Sequence, residues 1–248
     1  DGTESTIFEA LRGRPLLQQK IAAIENCAAN DIGVILVPVL QPGINDHNVG
    51  EILRFALRYA PAVRGVHFQP ISYFGRYPIA PTDADRLTIP DVMRLVVDQS
   101  DGLVAPDALA PGGCENALCS FHGNFVLMPN GRLIPWSKNE PQGCGCQPTS
   151  AAEGAAKARS FVASNWIALD AVVPVSNGPS LGKWDVLLQR AKTHTFFISG
   201  MAFQDAWTLD LERLRDCCIH TVSPDGRLIP FCAYNLTDRN GRALYRGR

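Results

Sequence analysis

The chain has 248 residues, of which 46% are hydrophobic and 19% are charged, and its formal net charge is -1. This composition is typical of a globular protein that can bury one full core and a second, smaller one. The Lys and Arg residues are scattered, which argues against nucleic acid or an anionic membrane as a partner. The longest apolar runs have about half the length of a membrane-spanning helix, so no transmembrane segment is expected.

The N-terminal part of the chain alternates between helical and strand periodicity. Residues 16–30 have apolar side chains at helical spacing, and a continuous apolar run over residues 32–40 predicts a strand. The alternation continues through a second helix, a strand over residues 63–71 and a helix from Pro90. Buried strands joined by helices predict a parallel sheet, and therefore an α/β fold, as part of a barrel or an open sheet. Two or three strands are too few to be stable alone, so the missing strands are expected upstream of Asp1.

Ligands of such sheets bind beyond the carboxyl ends of the strands. The first predicted strand ends in a Gly-Ile-Asn-Asp turn at residues 43–46, and the second ends at Phe68 and Gln69. The turn can approach a ligand closely, and Phe68 and Gln69 offer an aromatic face and an amide. In the alternative interpretation Asn45 and Asp46 cap the next helix and Phe68 belongs to the core. The pattern alone favours this alternative.

The C-terminal half contains an internal repeat instead of this alternation. The segment over residues 128–136 recurs over residues 223–231, with Asn-Gly in the first copy and Asp-Gly in the second. Either dipeptide between apolar runs is a strong indication of a β-hairpin, so two hairpins of matching design are predicted. Cys232 directly follows the second copy, which would deliver its thiol to a loop-rich region. The polar pair Gln204 and Asp205 either orients a substrate or caps the turn into the next helix.

The chain has eight cysteines, and seven of them follow residue 110. These seven are Cys114, Cys119, Cys144, Cys146, Cys217, Cys218 and Cys232. A secreted disulfide scaffold is one explanation, but such scaffolds are usually far smaller. Closely spaced thiols favour metal chemistry, because adjacent cysteines bridge each other only with strain. We therefore expect a cytoplasmic protein.

The metal cannot be assigned from spacing alone. Cys114 and Cys119 form a C-x4-C pair in a glycine-containing loop, where thiolates can converge on one ion or cluster. This pattern favours an iron-sulfur cluster. Zinc uses the same ligands, although its usual C-x2-C knuckles are absent from the sequence. A third interpretation, a buried apolar thiol, fits Cys27 best.

Several segments resemble a known superfamily. The N-terminal part has DG, RG, IEN and N-D sequences at residues 1–2, 12–13, 24–26 and 45–46. This run resembles the second half of the barrel of the radical S-adenosylmethionine (SAM) enzymes. The remainder is similar to a narrower branch, the proteins that resemble tetraether lipid synthases and TrsS-type (seleno)proteins. The segments that carry this second similarity are residues 65–70, 114–124, 201–205 and 225–236.

The resemblance implies a particular architecture and chemistry. Residues 1–105 would form the C-terminal part of a partial (β/α)6 barrel, and residues 106–248 a cysteine-rich α+β domain with an auxiliary [4Fe-4S] cluster. Such enzymes use a 5'-deoxyadenosyl radical to functionalise an unactivated carbon, for example by forming a carbon-carbon bond in a lipid chain. Their catalytic cluster is bound by a C-x3-C-x2-C motif, which does not occur here. The chain alone is therefore expected not to cleave SAM.

Site residues and partners follow from the same resemblance. Asn45 would approach the methionine or ribose of SAM, and Phe68, Gln69 and Pro70 would pack on the adenine, whereas Arg12 would contact the cofactor or brace the barrel. Cys232 is the first candidate ligand of the auxiliary cluster. The other candidates are Cys114 and Cys119, then Cys217 or Cys218, and further Cys144 and Cys146. The implied partners are a small-molecule or lipid substrate and a reductant such as ferredoxin or flavodoxin.

A second class of function remains open. The cysteine-rich part would then be a non-catalytic zinc-binding or electron-transfer module. A C-x3-C-x2-C motif upstream of Asp1 would favour the enzyme.

Overall fold

The computed structural model describes residues 1–75, 79–112, 116–136, 182–238 and 240–246, with the helical positions 153, 156, 159–160 and 163. The helices are α1 (Ser5–Arg12), α2 (Leu17–Ala29), α3 (Val49–Arg58), α4 (Ile89–Asp98), α5 (Lys183–Thr193), α6 (Leu211–Arg215) and α7 (Phe231–Tyr234). The strands are β1 (Val34–Leu36), β2 (Val39–Leu40), β3 (Val63–Pro70), β4 (Ala110–Pro111), β5 (Ser120–Leu127), β6 (Leu133–Pro135), β7 (Thr195–Met201), β8 (His220–Val222) and β9 (Leu228–Pro230).

The main sheet combines parallel and antiparallel strands. Its order is β1-β3-β7-β5-β4, with β2 beside β3 and β6 beside β5. Strands β1, β2 and β7 all run parallel to β3, whereas β5 runs antiparallel to β7. This is a mixed α/β fold with a parallel-strand sheet, consistent with a partial α/β barrel, as the helix-strand alternation predicts.

The run over residues 32–40 is divided into two short strands, not one continuous strand. Strand β1 ends at Leu36 and β2 begins at Val39, and Pro38 lies between them. Proline has no N–H to donate to a ladder, which explains the interruption. The carbonyl of Pro38 still accepts a hydrogen bond from the Gln69 amide at 2.9 Å, so both pieces remain beside β3.

The hydrophobic core lies between the sheet and helices α3 and α4. Val66 and Phe68 of β3 pack in one cluster with Leu53 of α3 and Val92 of α4, and all four are buried. Because side chains alternate along a strand, residues next to Val66 and Phe68 point to the other face of the sheet. That face carries the partly buried His67 and the other polar residues described below.

Both predicted hairpins are confirmed. Strands β5 and β6 pair antiparallel, as do β8 and β9. In the first turn the amide of Met128 donates to the carbonyl of Arg132, and the amide of Gly131 donates to the carbonyl of Met128. The second turn has the same two bonds, from Ser223 to Arg227 and from Gly226 to Ser223. Gly131 and Gly226 have φ values of 79° and 81°, which glycine adopts without strain. The sequence repeat is therefore also a repeat of turn geometry.

The sheet crosses the domain boundary predicted after residue 105. Strand β7, from the C-terminal half, pairs with β3 over residues 65–68. The division into a barrel and a cysteine-rich domain stays a prediction. Among the described helices, none is long and apolar enough to cross a bilayer.

Candidate functional site

Four of the predicted metal ligands line one cavity, which we call the thiol cavity. They are Cys119, Cys217, Cys218 and Cys232. The remaining lining is mainly apolar and comprises Met201, Ala202, Phe203, Ile219 and Phe231, with Asn116, Arg213 and Asp216 as the polar members. Thiols that are almost 100 residues apart in the sequence thus face the same space.

Local structure explains how the thiols reach this cavity. Cys119 directly precedes β5, and its carbonyl accepts a hydrogen bond from the Ala202 amide beyond β7 at 2.8 Å. Cys217 follows α6 and donates to the carbonyl of Ile219 at 3.2 Å. Cys232 lies in α7, immediately after the second hairpin. Cys232 thus follows the second hairpin and lines the thiol cavity, and its role as a metal ligand stays a prediction.

N–H groups point at two of the sulfur atoms. The backbone amide of Gln204 donates to Cys232 Sγ at 3.3 Å, and Nη2 of Arg213 donates to Cys119 Sγ at 3.2 Å. Hydrogen bonds to sulfur are among the features that tune metal-bound thiolates and iron-sulfur clusters. The Gln204 side chain accepts the amide of Asp210 at 2.6 Å, and this bond fixes the loop that carries the Gln204 amide.

The environment of Cys232 opposes a free thiolate. Burial raises the pKa of the Cys232 thiol, and this outweighs the lowering by the Gln204 amide; Cys217 and Cys119 raise the pKa further, and the charge of Arg213 lowers it. A thiolate at this position therefore needs a positive charge close to it. A metal centre supplies such a charge.

The donor set fits a thiolate-bound centre, although the described side chains do not form a closed ligand shell. Among the described residues, no three Cys, His, Asp or Glu side chains are grouped closely enough to hold a metal ion. Cys114, Cys144 and Cys146 lie outside the described residues. The fit rests on four thiols around one cavity, its apolar walls and the N–H donors at sulfur.

A second cavity, which we call the strand-end cleft, lies at the carboxyl ends of β2 and β3. Its volume is about 440 Å³, and it brings together Arg12, Gln69 and Pro70 from the predicted cofactor site. Ser72, Tyr73, Phe74 and Phe203 also contribute to its lining. Arg12 forms an ion pair with Asp1 at 2.7 Å, so it braces the chain as well as lining the cleft. The volume is in the range that binds small-molecule ligands.

Asn45 and Phe68 do not line the strand-end cleft, and both are fully buried. The Asn45 side chain accepts the Gln41 amide at 2.8 Å and donates to the carbonyls of Asp1 and Val39 at 2.7 and 2.6 Å. Phe68 belongs to the core. In this structure Asn45 holds the backbone at the strand ends, and Phe68 packs in the core. Their contact with a cofactor stays a prediction.

The thiol cavity and the strand-end cleft share a wall. Phe203 lines both cavities, and its ring lies 4.8 Å from that of Phe231 in the thiol cavity. Its carbonyl accepts a hydrogen bond from Ser72 Oγ at 2.8 Å, which connects the loops after β3 and β7. Phe203 is therefore a residue through which the cleft and the thiol cavity adjoin.

A buried ion pair fixes these same loops. Both carboxylate oxygens of Asp205 accept hydrogen bonds from Arg86, at 2.8 and 3.1 Å. The carboxylate also accepts the amides of Tyr73 and Trp207 and the hydroxyl of Thr208. Of the two roles considered for Gln204 and Asp205, the structure favours the structural one, because their side chains are bound within these loops.

A row of polar side chains crosses the sheet. Ser199 of β7 is in register with His67 of β3 on one side and with His122 of β5 on the other. Nδ1 of His67 lies 2.9 Å from Ser199 Oγ, and burial lowers the pKa of His67. Strand alternation places this row on the face opposite Val66 and Phe68. The row offers hydrogen-bonding groups to a ligand above the sheet.

Comparison with known proteins adds an independent finding. No family model matches the chain. The chain is similar to a methyltransferase. It is 30% identical to the 7,8-dihydro-6-hydroxymethylpterin dimethyltransferase of Methanocaldococcus jannaschii, over 96% of this chain and 55% of that relative. The chain thus spans about half the length of the curated relative that it matches. The similarity supports the radical SAM superfamily, whereas the narrower TrsS-type branch stays a prediction.

Sequence reasoning missed Arg213 and Arg86. Arg213 lies on α6, a helix whose position beside Cys119 depends on contacts between distant segments. Arg86 follows a short helical turn, and its partner Asp205 is 119 residues away. No local pattern marks either arginine as part of the site.

Proposed function

We propose that this chain is part of a radical SAM enzyme that transfers methyl groups to a small nitrogen-containing ring compound of the reduced pterin class. The observation that carries the proposal is the thiol cavity, lined by four cysteines and separated by Phe203 from the strand-end cleft. The similarity to a pterin dimethyltransferase supports the reaction and the substrate class.

The cleft would hold SAM. The Gln69 amide can both donate and accept hydrogen bonds, which suits the edge of an adenine ring. Pro70, Tyr73 and Phe74 provide apolar surface beside it. Arg12 stands at the same cleft, where its charge is partly compensated by Asp1. Asn45 would support this site indirectly, because its side chain holds the end of β2 by hydrogen bonds with the Gln41 amide and the Val39 carbonyl.

The thiol cavity would hold an auxiliary [4Fe-4S] cluster. The candidate ligands within the described residues are Cys119, Cys217, Cys218 and Cys232. The further candidate ligands are Cys114, Cys144 and Cys146. In such enzymes a separate catalytic cluster, when reduced, supplies with SAM a radical able to remove hydrogen from an unactivated carbon. The auxiliary cluster holds substrate or passes electrons. The rings of Phe203 and Phe231 lie 4.8 Å apart and would form an apolar wall beside the cluster, where charge interactions are stronger than in water.

The substrate would lie over the polar row of His67, Ser199 and His122. A reduced pterin has several ring nitrogens and a carbonyl, which match donors and acceptors of this kind. Carbon-carbon bond formation in a lipid chain is the alternative reaction, but the polar row favours a polar ring over an alkyl chain. A ferredoxin or flavodoxin as reductant and a cytoplasmic location complete the proposal.

The second candidate function is a non-catalytic metal-binding module, with zinc or an electron-transfer cluster. The thiol cavity also favours such a module, because zinc binds the same thiolates as an iron-sulfur cluster. The two candidates differ in whether the strand-end cleft binds SAM.

The test is made on the complete protein in which this chain occurs, purified without oxygen and supplied with SAM, dithionite and 7,8-dihydro-6-hydroxymethylpterin. SAM is both the radical source and the methyl donor in this mixture. We expect 5'-deoxyadenosine and a pterin product in which methyl groups have replaced one or two hydrogens, so that its mass has increased by one or two CH2 units. Iron-loaded protein that neither binds nor cleaves SAM would favour the non-catalytic module. Cleavage of SAM without a methylated pterin would reject the substrate class alone.

Gln69→Ala is expected to weaken SAM binding about tenfold, because one or two hydrogen bonds are lost at roughly 1 kcal/mol each. Iron content should remain unchanged, since Gln69 does not line the thiol cavity. The measurement is equilibrium dialysis with labelled SAM. Gln18→Ala, at an exposed position of α2, is the control and should bind like the wild type. Equal affinity of both variants would remove Gln69 from the cofactor site.

A further inference from the structure

Arg213 is a cationic side chain in the wall of the thiol cavity. Only one other charged residue, Asp216, belongs to the lining, and Asp216 is exposed whereas Arg213 is partly buried. Among the described residues, no carboxylate forms an ion pair with Arg213. Its positive charge therefore acts on the thiols and on whatever they hold.

The Arg213 guanidinium donates hydrogen bonds through Nη2 and has one buried N–H group, at Nε, without an acceptor among the described residues. Nη2 donates to Cys119 Sγ at 3.2 Å and to the carbonyl of Leu118 at 3.4 Å. Nε is buried and has no hydrogen-bond partner among the described residues. A buried donor without a partner costs about 1–3 kcal/mol, so such a group in a folded protein calls for an acceptor. In a cavity of four cysteines, the expected acceptor is a thiolate or sulfide.

The backbone holds Arg213 in this position. Asp210 caps α6, and its carboxylate accepts the amides of Glu212 and Arg213 at 2.9 and 3.2 Å. The amide of Asp210 is in turn bound by the Gln204 side chain, whose backbone amide donates to Cys232 Sγ. The two N–H donors at sulfur, from Gln204 and Arg213, thus belong to one connected network. The guanidinium is presented by a fixed helix end and not by a free loop.

We propose that Arg213 is a positioning residue for the thiolate-bound centre, and this inference rests on the proposed function. Its guanidinium donates to the sulfur of Cys119 and, through Nε, to a second anionic acceptor of the centre. Its charge favours the reduced form of the cluster, which carries one more negative charge than the oxidised form. Hydrogen bonds to sulfur and net charge are two of the properties that set cluster potentials.

The test compares Arg213→Gln with Arg215→Gln, a matched exposed arginine on the same helix. We expect Arg213→Gln to retain its cluster and to lower the equilibrium constant for reduction about tenfold, which is about 59 mV for a one-electron couple. The midpoint is measured by anaerobic titration followed by electron paramagnetic resonance. Arg213→Lys keeps the charge and loses the fork of donors, so its midpoint should lie between those of wild type and Arg213→Gln.

Each outcome decides the role of Arg213. An unchanged or raised midpoint in iron-loaded Arg213→Gln would overturn the inference and leave the proposed function intact. If Arg213→Gln loses iron, recovery of iron by Arg213→Lys would support it, and equal loss in both variants would overturn it. If the wild type takes up zinc and no iron, the cluster proposal fails. The role of Arg213 is then tested by the rate at which each variant releases zinc to a chelator. Faster release from Arg213→Gln than from Arg215→Gln supports a role at the centre, and equal rates reject it.

Discussion

Cys232→Ser is expected to remove most of the auxiliary iron and to destabilise the C-terminal part of the protein. Cys232 is buried, lies in the wall of the thiol cavity and accepts a hydrogen bond from the Gln204 amide. Serine is a poor ligand for iron, and cluster binding is coupled to folding, so loss of one thiolate lowers both metal content and stability. The measurement is iron per chain after anaerobic reconstitution, with thermal unfolding of the same samples.

The matched control is Cys27→Ala. Cys27 lies on α2 and does not line the thiol cavity, so its replacement should cost about 1 kcal/mol of packing energy and no iron. The same loss of iron as in Cys232→Ser is predicted for Cys114→Ser, although Cys114 lies outside the described residues. If Cys144→Ser and Cys146→Ser lost their iron while Cys232→Ser kept it, the ligand set would have to be rebuilt around residues 144–146.

Asp205→Ala is expected to lower the free energy of unfolding by about 3–5 kcal/mol, because it leaves the Arg86 guanidinium buried without its partner. The Asp205 side chain is 0% exposed and that of Arg86 is 15% exposed. The variant should also bind less iron, since Asp205 adjoins Gln204 beside Cys232. Urea unfolding of the metal-free and reconstituted proteins measures both effects.

The control is Asp101→Asn, which breaks the ion pair between Asp101 and Arg54. The Asp101 side chain is 80% exposed, so water replaces its contact and the loss should be at most about 1 kcal/mol. Similar losses for Asp205→Ala and Asp101→Asn would show that the buried pair does not hold the loops together.

The Asp205 ion pair also predicts a dependence of stability on pH. Burial alone would raise the pKa of Asp205, but the hydrogen bonds from Arg86, Tyr73 and Trp207 and the charge of Arg86 outweigh burial and lower the pKa. The stabilisation is therefore present above the ordinary pKa of an aspartate and is lost as the pH falls through the lowered value. Asp205→Asn should flatten this part of the stability profile in acid.

Local patterns predicted the parts of the fold that depend on local structure. The Asn-Gly and Asp-Gly turns predicted both hairpins because a tight turn is determined by a few adjacent residues. The helix-strand alternation predicted parallel strands beside β3. Pro38 lies within a continuous apolar run, and this run led to the prediction of one strand. The break between β1 and β2 was therefore not predicted.

Pairing between distant segments could not be predicted in the same way. The parallel pairing of β7 with β3 joins residues more than 130 positions apart, and strand periodicity does not identify a partner. Cysteine positions identified candidate ligands but not which of them share a cavity. The contact of Arg213 with Cys119 and that of Arg86 with Asp205 arise only when these segments are packed together. Likewise, the strand-end turn and the family resemblance made Asn45 a candidate cofactor-binding residue, but they did not predict that its side chain makes three hydrogen bonds to the backbone around it.

Iron and acid-labile sulfide per chain, measured after anaerobic reconstitution, test the thiol cavity most directly. Reconstitution supplies iron, sulfide and zinc together, so that the protein selects its metal. The account predicts a brown protein that contains iron and sulfide in near-equal amounts and loses its colour in air. Protein that takes up zinc and no iron under these conditions would contradict it.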